Sequence, residues 1–250
     1  MTNSPPKTSG KLALVLQFWD GDRDAAFRNA LRIADNEPAF RKDVEFVFVS
    51  RFDSLLDKEV AAKVAKKFKT SSFRCTRRGT GWPSGCNDMW ADWVCTGAMG
   101  KVFSREWDDV KAMFTFEADA IPVHTDWIDR LSAEWDRAAE KGKYIVGCFM
   151  PPPQNGPVGH INGNALFAPD LFRRQSCVLG CNPGVGWDAA HAGQFEPHWY
   201  PTPLITNYYR AVNVAEKHIR RAAEDGRTPV VIHGAKDLSV EQFADSVLRK

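Results

Sequence analysis

Two short, almost unbroken apolar runs constrain this chain more than any other feature. Leu12 to Phe18 (LALVLQF) and Val44 to Val49 (VEFVFV) lack the polar alternation of a strand with one wet face. Such runs suit strands buried on both sides of a parallel sheet. Each ends in a polar turn, Trp19-Asp20-Gly21-Asp22 after the first and Ser50-Arg51-Phe52-Asp53 after the second. Between them, residues 23–35 place Ala26, Ala30, Leu31 and Ile33 near helical spacing. After the second run a helix of about 14 residues is expected over LLDKEVAAKVAKKFK, its lysines facing outward.

The alternation continues along the chain. A short third strand is expected over Ser72–Thr76, then a Gly/Pro loop at Gly79–Gly85, then a helix over Asn87–Ala98 carrying Met89, Trp90, Trp93 and Val94. Met113–Phe116 reads as a strand that runs into Glu117-Ala118-Asp119-Ala120, followed by a helix over Thr125–Lys141 and a strand over Tyr144–Phe149. Prolines make 150–160 a loop. A strand is expected over Asn164–Ala168, an irregular Gly/Pro-rich stretch over 180–203, a helix over Tyr209–Asp225, and a last strand over Pro229–His233 leading into Gly234-Ala235-Lys236-Asp237. Strands alternating with helices imply an α/β fold, a Rossmann-like and mostly parallel sheet with right-handed crossovers. Residues 1–10, polar and rich in Pro and Ser, read as a disordered lead-in to one domain over 11–250.

Composition narrows the function classes only modestly. A formal net charge of +2 neither requires nor excludes nucleic acid. No segment reaches the roughly 20 apolar residues of a membrane span, and the start lacks a signal-peptide core, so a cytoplasmic location is expected. The cysteines Cys75, Cys86, Cys95, Cys148, Cys177 and Cys181 form no C-x-x-C pair and read as buried free thiols.

Four constellations carry chemistry. Glu117 and Asp119, one residue apart after an apolar strand, sit where open α/β sheets bind ligands and point the same way along an extended chain. They suit Mg²⁺ or Mn²⁺ held with a diphosphate, or are a solvated acidic turn. His233, at the end of the last strand, is a candidate metal ligand or a hydrogen-bonded structural histidine, with Gly234 and Lys236 placed to approach a phosphate. In the segment His160–Phe167, Asn162 and Asn164 flank Gly163 and suit a sugar site; the alternative is a β-turn at Asn162-Gly163. In Gly186-Trp187-Asp188, Asp188 suits a general base and Trp187 a stacking platform; the alternative is an aspartate capping a turn.

Taken together, Phe-x-Phe-Glu117-Ala-Asp119-Ala resembles the Asp-x-Asp signature of GT-A glycosyltransferases, with Glu in place of the first Asp. His233-Gly234-Ala235-Lys236-Asp237 resembles the C-terminal histidine motif of such enzymes, and Asn162-Gly163-Asn164-Ala165 their acceptor-side strand. The resemblance spans residues 12–240 and rests on short motifs in order. It implies a GT-A fold with an irregular acceptor-side region. It further implies a nucleotide-sugar donor, in the first instance a UDP-sugar, bound by Asp20, Asp53, Glu117 and Lys236. Mn²⁺ or Mg²⁺ would lie on Asp119 and His233, with Asp188 as the base. Small glycosyltransferases of this kind also resemble bacteriophage enzymes that glycosylate hydroxymethylpyrimidines in DNA. Arg173 and Arg174, one of several basic clusters near aromatics, suit a nucleic-acid acceptor or are a solvated helix face. With Asn162, Asn164 and Trp187 they are the candidates for acceptor binding, with a cell-surface glycan or small metabolite as the alternative acceptor. A sugar nucleotidyltransferase is the rival class. It wants a Gly-rich basic loop after the first strand, where this chain has the acidic Trp19-Asp20-Gly21-Asp22.

Overall fold

A computed structural model describes residues 4–152, 158–175, 184–211, 229–235 and 237–248. Its first elements follow the apolar runs: β1 (Lys11–Phe18), α1 (Arg23–Asn36), β2 (Arg41–Ser50), α2 (Lys58–Val64) and β3 (Phe68–Arg74). Next come α3 (Ser84–Asp92), a π-helical turn (Trp93–Ala98) that runs on into α4 (Met99–Phe103), β4 (Val110–Phe116), β5 (Ile121–Pro122) and α5 (Trp127–Glu140). The remainder is β6 (Ile145–Met150), β7 (His160–Phe167), α6 (Leu171–Arg174), α7 (Trp187–Ala190), α8 (Ala192–Phe195), β8 (Trp199–Pro201), β9 (Ile205–Ala211), β10 (Val231–Ala235) and α9 (Ser239–Leu248).

The main sheet has seven strands in the order β3-β2-β1-β4-β7-β6-β8. Strands β3, β2, β1 and β4 pair in parallel, as expected. Only β7 is reversed, antiparallel to both β4 and β6. Burial explains the pairing: from Leu12 to Phe18 every residue of β1 is buried, because helices cover both faces. From β1 the chain goes to β2 on one side and later to β4 on the other. The carboxyl ends of β1 and β4 therefore flank a topological switch point, the usual ligand crevice of an open α/β sheet. No helix among the described residues is long and apolar enough to cross a membrane.

Boundaries differ from the sequence expectations in several places. The helix expected over 55–69 stops at Val64, and Phe68 already pairs with Arg41 as the first residue of β3. Val60, Val64 and Phe68 keep a four-residue spacing across that junction, so the helical stripe conceals the change. Tyr209–Ala211 are not helical. They end β9, which pairs in parallel with β10, and the rest of the expected helix lies outside the described residues. Asn162-Gly163 is no turn but the middle of β7.

A second, three-stranded sheet, β5-β10-β9, was not foreseen. It has its own small core of Ile121, Val123, Ile232, Val240, Ala244 and Leu248. Helix α9 closes it and is tied to α1 by Arg32, which bonds Glu241 at 3.0 Å and Asp245 at 2.8 Å. At the other end of the chain, Trp135 Nε1–H donates to the Lys7 carbonyl (2.8 Å) and Arg174 to the Ser4 carbonyl (2.8 Å). Both carbonyls belong to the segment expected as a lead-in.

Candidate active site

The small sheet completes the site. In β10, Ile232 pairs antiparallel with Ile121 of β5, directly after the Glu117–Asp119 turn. This pairing brings His233 to acids more than a hundred residues away. Its Nε2 lies 3.1 Å from Glu117 Oε2 and 3.3 Å from Asp119 Oδ1. One ligand atom from each of the three residues lies within 4.8 Å of the others. Two carboxylates and an imidazole converging on one point form a donor set that fits a hard divalent cation such as Mn²⁺ or Mg²⁺. The turn itself is anchored: Glu117 N–H donates to Asn164 Oδ1 (2.8 Å), and Asn162 Oδ1 accepts from both Asn164 N–H and Nδ2 (3.0 Å each). Asn162 and Asn164 are therefore engaged in shaping the acidic turn.

Electrostatics mark the same place. Burial alone would push the His233 imidazole down, but its hydrogen bonds to Asp119 and Glu117 hold it up at about 9. Asp22, whose Oδ1 accepts Trp19 N–H at 2.8 Å, is raised to about 7, chiefly by burial and then by the charges of Glu117 and Asp119. Burial pushes the Cys86 thiol to about 12, and Glu117, Asp22 and Asp188 push it the same way against Arg51. These groups from β1, β2, α3, β4 and α7 thus surround the start of α3.

Asp188 reaches the site through an aromatic anchor. Asn87 of α3 accepts Trp187 N–H (2.8 Å) and donates to the Val185 carbonyl (2.9 Å). The Trp187 ring stacks on Trp90 at 3.6 Å and 9°. With the ring pinned, Asp188 Oδ2 accepts Gly163 N–H from β7 at 3.1 Å and Oδ1 accepts Ala189 N–H at 2.9 Å. Burial raises the Asp188 carboxyl, while the His160 charge and these two N–H donors oppose that.

Several nominated residues have other duties. Trp187 is 8% exposed, and its ring is stacked on Trp90. Arg173 and Arg174 sit in α6, beyond the far end of β7. Because β7 runs opposite to β4, that end lies at the amino edge of the sheet, away from Asp119 and Asp188. Arg174 is also engaged, with Asp170 (2.7 Å) and over the Tyr144 ring (5.3 Å). These two arginines, nominated for acceptor binding, thus lie apart from the Glu117, Asp119, His233 and Asp188 group. Asp53 is held in a two-pronged pair by Arg51 (2.7 Å each), which keeps its carboxyl below the usual range. Asp20 faces Arg23 at 3.5 Å. Lys236, Cys177 and Cys181 lie outside the described residues, while Cys75, Cys86 and Cys148 are free thiols.

Reasoning from sequence assigned no role to Arg51, Trp19, Cys86 or His160. Arg51 lies over the Trp19 ring at 4.7 Å, at the carboxyl ends of β1 and β2. The signal for Trp19 and Asp22 was present, since both belong to the turn after the first apolar run. For Cys86 there was none, because its approach to the acids is a tertiary contact between distant parts of the chain.

No protein-family profile matches the chain, and no curated protein matches its sequence. Solved structures match its shape. The WbbM bifunctional glycosyltransferase, in its apo form, superposes with a TM-score of 0.54 at 10% identity over 91% of this chain. The match covers 46% of that protein, so this chain spans less than half its length. Mouse xyloside xylosyltransferase 1, also apo, superposes with a TM-score of 0.52 at 13% identity, over 90% of this chain and 97% of that one. At such identities the likeness establishes the fold, which is of the GT-A type.

Proposed function

We propose that this chain is a metal-dependent glycosyltransferase that moves a sugar from a nucleotide-sugar donor, in the first instance a UDP-sugar, to an acceptor hydroxyl. The observation that carries this reading is the Glu117–Asp119–His233 cluster at the switch point of a GT-A-type sheet, with Asp188 fixed nearby. Both structural neighbours named above are described as glycosyl- or xylosyltransferases.

Glu117, Asp119 and His233 would hold Mn²⁺ or Mg²⁺, which supplies neutralisation of the charge that builds on the departing diphosphate. Glu117 thereby joins the ligand group, next to His233, instead of reaching for the ribose. The nucleotide would lie over the carboxyl ends of β1 and β2, near Trp19, Asp20, Arg51 and Asp53. Asp188 accepts the proton of the attacking hydroxyl. Its oxygens are aimed by two backbone N–H groups and retain lone pairs for that proton. Asn162 and Asn164 support the reaction by fixing the turn that carries Glu117.

The acceptor is the finer part of the proposal. Transfer to a 5-hydroxymethylpyrimidine in DNA remains one arm of the test, and a glycan or small metabolite the other. The experiment titrates UDP-sugars into the protein with and without Mn²⁺ in a calorimeter. The accepted donor is then incubated with DNA containing 5-hydroxymethylcytosine or 5-hydroxymethyluracil, with oligosaccharides and with small hydroxyl compounds, and products are read by mass spectrometry. Failure of every nucleotide sugar to bind with the metal would overturn the reading. Transfer to a glycan alone would exclude DNA.

A further inference from the structure

Phe149 stands beside Asp188 on the sheet. It pairs with Ile161 across β6 and β7, and Ile161 shares one face of β7 with Gly163. Gly163 gives its N–H to Asp188. A Cβ on Gly163 would meet the Trp187 ring at 2.8 Å, so α7 packs on that same face. Phe149 is thus the diagonal neighbour of the residue that holds Asp188, roughly 7–8 Å away. It is 42% exposed, and Val158 next to Gly159 is 49% exposed. The ring is nonetheless held. A Cβ at Gly159 would come 2.7 Å from Phe149 Cζ, so the ring lies over a glycine, and the Trp199 ring centre is 6.0 Å from it.

Charge sets this surface apart. Of the 33 lysines and arginines in the chain, two fall between residues 144 and 209. They are Arg173 and Arg174, which sit in α6 at the amino edge of the sheet. The same stretch provides β6, β7, α7 and β8, so none of these elements brings a lysine or arginine to Asp188. Helix α3, which carries Cys86 and Asn87 there, has neither. The charges felt at Cys86 are those of the acids Glu117, Asp22 and Asp188, opposed by Arg51, which is itself paired with Asp53 at 2.7 Å. A duplex that presents a base here needs cations for its phosphates, and the surroundings of Asp188 offer acids. An uncharged sugar meets no such repulsion, and its C–H face suits the negative face of an aromatic ring. An extruded base can lie on such a ring as well, so charge decides between the two.

We propose that Phe149 is the acceptor platform and that the acceptor is an uncharged sugar ring, of a glycan or a free saccharide, seated between Phe149 and Asp188. The role of Asp188 rests on the glycosyltransferase reading; the affinity of this surface for a sugar does not.

An array of immobilised neutral oligosaccharides, together with calorimetry on free mono- and disaccharides, tests the surface in the presence and absence of UDP and Mn²⁺. The wild type should bind at least one neutral saccharide; a signal on the array alone identifies a glycan, and one in the calorimeter a free sugar. Phe149→Ala should weaken that binding by about tenfold or more, while Phe149→Trp, which keeps an aromatic face, should stay within about threefold. The affinity of both variants for a UDP-sugar with Mn²⁺ should equal that of the wild type. A Phe149→Ala variant that binds the saccharide as the wild type does overturns the proposal, and so does one that loses donor affinity to the same extent, since that marks a residue of the general fold. Preference for duplex DNA containing 5-hydroxymethylcytosine over every neutral saccharide, with an affinity that falls steeply with salt, overturns it too, as does a wild type that binds no saccharide. If a saccharide binds through Phe149 while no nucleotide sugar binds, the glycosyltransferase reading fails and the platform stands.

Discussion

Loading the acidic cluster with Mn²⁺ should expel a proton from His233, and the pH dependence of binding follows from that. In the metal-free protein the imidazole is held up at about 9 by Asp119 and Glu117. A metal takes the lone pair of Nε2, so the proton there must leave. An ordinary histidine titrates at about 6.5. Were His233 ordinary, affinity would rise only about fourfold between pH 6 and pH 8, because most rings are already neutral at the upper end. With the group at about 9, affinity should rise about a hundredfold over the same interval. Calorimetry at pH 8 in buffers of different ionisation enthalpy should report about nine-tenths of a proton released per metal from this group. His233→Ala should abolish the release along with most of the affinity. A rise of fivefold or less between pH 6 and pH 8, with no buffer-dependent heat, would refute the reasoning. The same shift has a sign for stability without metal. A histidine raised on folding stabilises the fold fully below its unfolded value and loses that contribution as pH rises through about 9. Asp22, raised from 3.8 to about 7, also binds its proton more tightly in the folded state, so its contribution is lost as pH rises through about 7. The metal-free melting temperature should therefore fall between pH 4 and pH 9, and Mn²⁺ should restore it at the alkaline end.

Asp119→Ala should keep its circular dichroism spectrum but lose metal-dependent UDP-sugar binding; unchanged affinity with Mn²⁺ would remove Asp119 from the ligand set. Asp188→Asn should bind donor as the wild type does while kcat falls roughly 10²–10⁴-fold, the usual value of a general base; a loss under tenfold would leave Asp188 as a helix-start residue only. Gly163→Ala should destabilise the protein, because its Cβ would come 2.8 Å from the Trp187 ring. About 1–3 kcal/mol is the usual cost of overpacking, and an unchanged urea midpoint would show that the Trp90–Trp187 stack yields freely.

Some of this molecule was legible in residues read one after another. The buried runs at 12–18 and 44–49 declared a parallel sheet, and the acids and the histidine were visible as ends of apolar strands. These are local signals, since burial on both faces and a polar stop are written within a few residues of each other. The errors were local too. Phe68 extended a helical stripe into a strand, and Asn162-Gly163 imitated a turn inside β7.

The sequence by itself determined which residues have the chemistry to hold a cation: Glu117, Asp119 and His233. Only the tertiary structure decided that they meet. The pairing of Ile121 with Ile232 that joins them is non-local and leaves no periodic mark on the chain. The reversal of β7 had two opposite effects of the same kind. It carried His160 and Gly163 to the acids, and it sent Arg173 and Arg174 to the far edge of the sheet. Strand direction is fixed by which edges pair across the whole sheet, a choice made by the sum of buried area and backbone hydrogen bonds and not by any residue's own preference. The same holds for Trp187, an aromatic next to an acid in the sequence and a buried partner of Trp90 in the fold.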